Sequence, residues 1–245
     1  MPDGGLVGAI PARYASTRLP GKPLLPIAGR PMIEHVYERV SRVPELDRVV
    51  VLTDDERISR AVEAFGGEVE HTPSGCPSGT DRVAHAARGW ECRAVINVQG
   101  DEPMIDPRAV SLVARHMLEE PDAEMATLAA PLDPERSGDP DAVKVVRALS
   151  GEALYFSRAP IPFPRTPGAA SPLLHVGLYG YRRDVLLRLA ELPPTPLERS
   201  ESLEQLRALE HGIRLRVLTL EKPAEPGVDT AADLHRAREL LDPAR

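Results

Sequence analysis

Ile10-Pro-Ala-Arg-Tyr-Ala-Ser-Thr-Arg-Leu-Pro-Gly-Lys-Pro-Leu24 is the stretch on which the reading of this chain turns. A short apolar run, Leu6 to Ile10, leads into it and reads as a buried first strand. Behind it Met32, Ile33, Val36, Tyr37 and Val40 recur at helical spacing. The stretch is therefore a strand-to-helix loop. It carries three long cations (Arg13, Arg18, Lys22), two hydroxyls (Ser16, Thr17) and stiff punctuation at Pro20, Gly21 and Pro23. An open α/β sheet puts its ligand crevice at the carboxyl end of such a strand. Cations fixed there suit a polyanion, with a triphosphate the foremost candidate. A solvated basic turn is the plainer alternative, and the close spacing of three cations between rigid residues argues against it.

Outward from this loop, strand-like and helix-like runs alternate. Strands are expected at Leu6–Ile10, Val49–Thr53, Val69–His71 and Ala94–Val98, with helices at Pro31–Val43, Glu56–Phe65 and Thr80–Arg88. Thr80 is a candidate cap for the last of these, with Asp81 adding charge to its first turn. Regular alternation with apolar strands predicts a mostly parallel, doubly wound α/β sheet. The second half changes character. Strands are expected at Met125–Ala130, Val143–Ala148, Leu154–Ser157, Leu173–Tyr181 and Arg214–Leu220. Helices are expected near Arg183–Glu191, Ser200–His211 and Thr230–Leu241, the last capped by Thr230. Five prolines between Ala159 and Pro172 forbid helix or central strand there. One domain, residues 1–245, with an inserted antiparallel subregion at about 132–196 fits this pattern best.

Composition limits the function. The chain has 245 residues, 42% hydrophobic and 27% charged, with a net charge of −7. An acidic chain is a poor nucleic-acid binder, so the basic loop points to a small anionic ligand. No apolar run approaches the roughly 18 residues of a membrane span. The first residues carry neither a cationic nor an apolar signal segment, and Cys76 and Cys92 make no metal pattern or disulfide framework. A cytoplasmic protein is expected.

Two carboxylates stand out. Asp101, in Asn97-Val-Gln-Gly-Asp-Glu-Pro103, emerges where a buried strand ends, beside Gly100, which allows close backbone approach. Asp229, in Gly227-Val-Asp-Thr230, lies between a strand and a helix. Carboxylates facing phosphates are the usual means of holding Mg²⁺. The residues alone leave two alternatives open: Asp101 as a turn cap and Asp229 as a charge favoured by a helix dipole. Arg158 ends an apolar strand and could clamp a carboxylate bidentately. His175 and Tyr179 share one face of their strand. Surface pairing of Arg158 and a core role for His175 remain equally open.

The chain resembles the 3-deoxy-manno-octulosonate cytidylyltransferase family over nearly its whole length. Besides the loop, the resemblance rests on Pro77-Ser-Gly-Thr-Asp-Arg82, Ile96 to Ile105, Ala142-Val-Lys-Val-Val146, Ala153-Leu-Tyr-Phe-Ser-Arg158, His175-Val-Gly-Leu-Tyr-Gly-Tyr-Arg182, Leu203-Glu-Gln-Leu-Arg207 and Gly227-Val-Asp-Thr230. It implies a nucleotide-diphospho-sugar transferase-like fold. It also implies transfer of CMP from CTP to the anomeric hydroxyl of the eight-carbon keto-sugar acid KDO. Lys22, Arg13, Asp101 and Asp229 would be catalytic, the two aspartates holding Mg²⁺. Pro11, Ala12, Arg13, Arg18, Lys22, Ser78, Gly79 and Gln99 would surround the nucleotide. Arg82, Arg158, His175, Tyr179, Glu204 and Gln205 would surround the sugar. Adjacent helical positions diverge by about 100°, so Glu204 and Gln205 can share a pocket only near its edge. CTP and KDO are the expected partners, with a homodimer and without nucleic acid or membrane. Three features depart from the family pattern: Asp81 where many members carry glutamate, the serines before Leu203, and a Pro-rich loop shorter than in some relatives. They bear on which keto-sugar acid is used, an 8-amino analogue or a sialic acid being the alternatives. A binding module without catalysis is the alternative of another class, and the joint presence of Lys22, Asp101 and Asp229 speaks against it.

Overall fold

The computed structural model describes residues 4–15, 19–166, 168–169 and 171–241. Strand β1 (Leu6–Pro11) forms with all its residues buried. Leu6 and Ile10 enter one core while Val7 and Ala9 enter another. Both faces of the strand are covered, and for that reason its sequence is apolar throughout rather than alternating. A 3-10 turn at Lys22–Leu24 and a small hairpin, β2 (Pro26–Ile27) with β3 (Arg30–Pro31), lead into α1 (Met32–Val40). The alternation continues through β4 (Arg48–Thr53), α2 (Glu56–Ala64), β5 (Val69–His71), α3 (Gly79–Ala87), β6 (Ala94–Asn97) and α4 (Pro107–Glu119).

The second half supplies β7 (Met125–Pro131), β8 (Lys144–Arg147), β9 (Ala153–Ser157) and β10 (Leu173–Arg182). Then follow α5 (Arg183–Glu191), α6 (Pro196–Glu201), α7 (Gln205–Glu210), β11 (Leu215–Thr219) and α8 (Ala231–Leu241). The main sheet runs β11-β7-β10-β6-β1-β4-β5, with β8 and β9 attached beside β10. Strands β6, β1, β4 and β5 are parallel, and so is β11 with β7. Strand β10 runs antiparallel to both β6 and β7, and β8 runs antiparallel to β9 and β10. One sheet face packs on α1, α2 and α4 through Val36, Ile58 and Val113; the other packs on α3, α5 and α7 through Val83, Val185 and Leu206. The loops after β1 and β6 thus emerge side by side at the carboxyl end of these neighbouring parallel strands.

Three expectations change. Helix α4 is absent from the sequence reading because Pro107 continues a run of turn residues. Yet Asp106 caps it by accepting the Arg108 N–H, and Ala109, Val110, Val113, Ala114 and Met117 give it an apolar stripe. The single helix expected at Ser200–His211 is two, α6 and α7, because Ser202 takes a left-handed conformation at φ 52° and ends α6. Ser78, not Thr80, caps α3: its hydroxyl accepts the Asp81 N–H while Asp81 accepts the Ser78 N–H. The Pro-rich segment carries neither helix nor strand at its described residues.

Candidate active site

The loop after β1 folds around Gly21. Its φ of 69° suits glycine, and its N–H bonds the Tyr14 carbonyl at 3.0 Å. This bond and the 3-10 turn that follows fix the backbone of Lys22, and the turn starts readily because Pro23 pre-sets its geometry. Gly100 does the matching work after β6. A side chain there would meet the Pro11 carbonyl oxygen at 2.8 Å, so only glycine lets the two loops close on each other. Between them lies a cavity of about 330 Å³ lined by Pro11, Ala12, Arg13, Lys22, Gly79, Gln99, Asp101 and Asp229.

At the cavity mouth the Lys22 ammonium sits 2.6 Å from Asp101 Oδ2 and 3.1 Å from Asp229 Oδ1. A main-chain bond, from the Val228 N–H to the Asp101 carbonyl at 2.8 Å, brings the two carboxylates together. The turn carrying Asp229 is held in addition by α8, whose Asp233 accepts the N–H groups of Asp229 and Thr230 while Thr230 caps the helix. Burial alone pulls the Lys22 pKa down, but the charges and hydrogen bonds of Asp101 and Asp229 more than offset this, so it lies above its ordinary value. The cluster is therefore two anions bridged by a permanent cation. Arg13 adds a second cation, one of whose guanidinium nitrogens is buried with no hydrogen-bond partner among the described residues.

A second group of side chains gathers near the N-terminal end of α3. His175, Tyr179 and Tyr181 form a ring ladder along β10, with centroids 5.5 Å and 5.7 Å apart, and Phe156 of β9 meets the His175 ring at 4.9 Å. His175 stays partly exposed, yet burial of its ring holds the pKa down to about 3, so the imidazole is neutral. Its Nε2 lies 3.0 Å from the Thr127 hydroxyl. Glu204, between α6 and α7, has carboxylate oxygens 2.9 Å from Ser78 Oγ and 2.7 Å from Thr80 Oγ1. Burial raises its pKa against the lowering effect of those hydroxyls. Its neighbour Gln205 is buried and its amide nitrogen has no partner among the described residues. The hydroxyls of Ser78 and Thr80 thus tie this group to the helix whose first residue, Gly79, lines the cavity.

The candidates divide accordingly. Pro11, Ala12, Arg13, Lys22, Gly79, Gln99, Asp101 and Asp229 meet in one cavity, whereas Ser78 acts as a helix cap beside it. His175, Tyr179 and Glu204 meet around the ladder. Arg158 stands apart: its guanidinium donates to the main-chain carbonyls of Glu201 at 2.8 Å and Pro140 at 2.9 Å. Arg82 is 1% exposed, paired with Asp54 at 2.9 Å and bonded to Thr72, and is not among the residues that line the cavity. A fully buried guanidinium needs such partners. Arg18, with Ser16 and Thr17, lies outside the described residues. Two structural supports escape the sequence reading. Glu201 accepts the Ser157 hydroxyl and the Arg158 N–H at 2.6 Å and 2.9 Å. Lys144, fully buried, donates to the carbonyls of Asp139 and Arg158 at 2.8 Å and 2.6 Å. The signal for Lys144 was a lone charge inside an apolar strand.

Comparison with known proteins identifies the family. The profile of a family described as "Cytidylyltransferase" matches residues 7–216. A 3-deoxy-manno-octulosonate cytidylyltransferase from Myxococcus xanthus is 49% identical over 237 residues, covering 96% of each chain. One of the same name from Solibacter usitatus is 48% identical over 238 residues, covering 96% of this chain and 94% of its own. Among solved structures, CMP:2-keto-3-deoxy-manno-octonic acid synthetase complexed with CTP superposes with a TM-score of 0.94 at 47% identity, covering 97% of this chain and 98% of that one. The chain is a member of the cytidylyltransferase family, within the group of 3-deoxy-manno-octulosonate cytidylyltransferases.

Proposed function

We infer that the protein transfers CMP from CTP to the anomeric hydroxyl of KDO, releasing pyrophosphate and activating the sugar for lipopolysaccharide synthesis. The observation that carries this reading is the meeting of Lys22, Asp101 and Asp229 at the cavity between the β1 and β6 loops. In the reaction the sugar oxygen forms a bond to the α-phosphorus, the bond from that phosphorus to the bridging oxygen breaks, and the hydroxyl proton is lost. Crowded phosphate oxygens repel the nucleophile, so neutralising and aligning charge does most of the work.

Asp101 and Asp229 would hold Mg²⁺. They fit it, because two hard carboxylate donors leave the other positions to phosphate and water, as this ion prefers. Bound there, the ion would supply charge neutralisation for the phosphates and Lewis acidity toward the attacking hydroxyl. Lys22 balances the carboxylates before substrate enters and can then turn to the triphosphate. It is aided by Arg13, whose guanidinium nitrogen without a partner among the described residues offers a further donor, and both stabilise charge growing on the leaving pyrophosphate. Gln99 has a donor and an acceptor for the cytosine edge, with the Pro11-Ala12 backbone and the Ser78-Gly79 turn beside it. His175, Tyr179, Glu204 and Gln205 would read the sugar hydroxyls, and Arg158, already held in orientation, its carboxylate. We also propose a cytoplasmic homodimer; no described helix is long and apolar enough to cross a membrane. Pyrophosphate release tests the function: it should require CTP, KDO and Mg²⁺ together. Release with a sialic acid or an 8-amino sugar in place of KDO, and not with KDO, would reassign the substrate.

A further inference from the structure

Asn97 is the last residue of β6 and is fully buried, and both its amide oxygen and its amide nitrogen lack a hydrogen-bond partner among the described residues. Leaving a buried amide unpaired is destabilising, and an apolar residue of like shape would be tolerated at least as well. A carboxamide at such a position needs a reason beyond the fold.

Register places it. Asn97 pairs with Ala9 on its parallel side and lies directly opposite Tyr179 on its antiparallel side. Paired residues point to the same sheet face, with Cβ atoms about 4.5–5.5 Å apart. That face carries Val95 and Ala9. It also carries the His175–Tyr179–Tyr181 ladder. Ala9 is small and gives Asn97 no polar neighbour. Two positions on, Gln99 lines the nucleotide cavity. Asn97 therefore underlies the junction between that cavity and the ladder, and the amide nitrogen of Gln205 is likewise buried without a hydrogen-bond partner among the described residues.

We propose that Asn97 determines sugar specificity: its carboxamide exchanges hydrogen bonds with a hydroxyl of the acidic polyol seated beside Tyr179. This rests on the sugar pocket proposed above. A site whose buried polar groups are completed only by the right substrate rejects analogues lacking the matching hydroxyl, because binding them leaves those groups unpaired.

The test is steady-state kinetics and thermal unfolding of Asn97→Leu and Asn97→Ala, with His175→Ala and Gln205→Leu as pocket controls. The expected result is a sugar KM raised about ten- to hundredfold in both Asn97 variants. The CTP KM should not move, and the ligand-free melting temperature of Asn97→Leu should equal or exceed that of the parent. A structural residue would give the opposite pattern. Unchanged sugar KM in the Asn97 variants, with raised KM in the controls, would overturn this inference and leave the pocket standing. Unchanged KM in all four would overturn both. Failure of both Asn97 variants to fold would mean that the amide is satisfied within the protein, and would overturn it as well.

Discussion

The side of this molecule proposed to hold the nucleotide and the side proposed to hold the sugar are built differently. On the nucleotide side, two loops at the ends of neighbouring parallel strands meet face to face, and Pro11, Gly21 and Gly100 set their approach. Its chemistry is charge: Lys22 between Asp101 and Asp229, with Arg13 beside them. On the sugar side, residues from β9, β10 and the α6–α7 junction converge around rings and neutral polar groups. A triphosphate is recognised by charge that any cytidylyl transfer needs. A polyol must be recognised by hydrogen bonds set on a rigid, partly apolar wall. The contrast implies that damage to the first side strikes turnover and damage to the second strikes sugar affinity.

The largest effect should come from Asp101→Asn or Asp229→Asn. Each removes a carboxylate from a charge-balanced cluster, and several kcal/mol of transition-state stabilisation goes with a catalytic metal. Pyrophosphate release should fall about a hundredfold or more with thermal stability retained. More than about a tenth of parental activity in either variant would sink the assignment. Lys22→Ala comes next. It should lower kcat, with Lys22→Arg failing to restore it because a planar fork does not replace a point charge between two carboxylates. Weaker CTP binding at unchanged kcat would make Lys22 a ground-state contact only.

On the other side, Arg158→Ala should raise the KM for KDO and leave that for CTP nearly unchanged. Losing the partner of a buried carboxylate costs about 2–5 kcal/mol, less here because Arg158 is partly exposed, so about tenfold or more is expected. A CTP effect without a sugar effect would move Arg158 to the nucleotide side. The smallest effect concerns pH. His175 has a folded-state pKa near 3, against about 6.5 for an unfolded histidine, so the unfolded chain takes up the proton first. Its contribution is intact above about pH 6.5 and is lost progressively as pH falls toward 3. His175→Gln should therefore show a shallower drop in melting temperature between pH 6.5 and 4 than the parent. Parallel slopes would mean that the ring is not buried as described.

The same contrast explains what the sequence disclosed. Contiguity made the nucleotide side legible: a single loop carries Arg13 and Lys22, and Gln99 with Asp101 follows a second strand, so strand ends and residue chemistry nearly suffice. The pairing of Asp101 with Asp229 was harder to see, because the contacts that bring them together, among them the main-chain bond from Val228, join segments far apart in the chain. The sugar side was legible only through family resemblance. A helical arginine beside a glycine-rich turn gives no hint that it faces inward, as Arg82 does to Asp54. The break at Ser202 was invisible because a left-handed serine has no sequence signature comparable to glycine. Asn97 looked like a strand end, and only its register opposite Tyr179 gives it a role.

The central claim is that Asp101, Asp229 and Lys22 form the metal and phosphate centre. The most direct measurement is a crystal structure of the protein with CTP and Mg²⁺ and without sugar. The expected result is a cation held by both aspartates, with Lys22 turned from them to the triphosphate. A triphosphate bound away from Lys22, with the ammonium still bridging the two carboxylates, would contradict it.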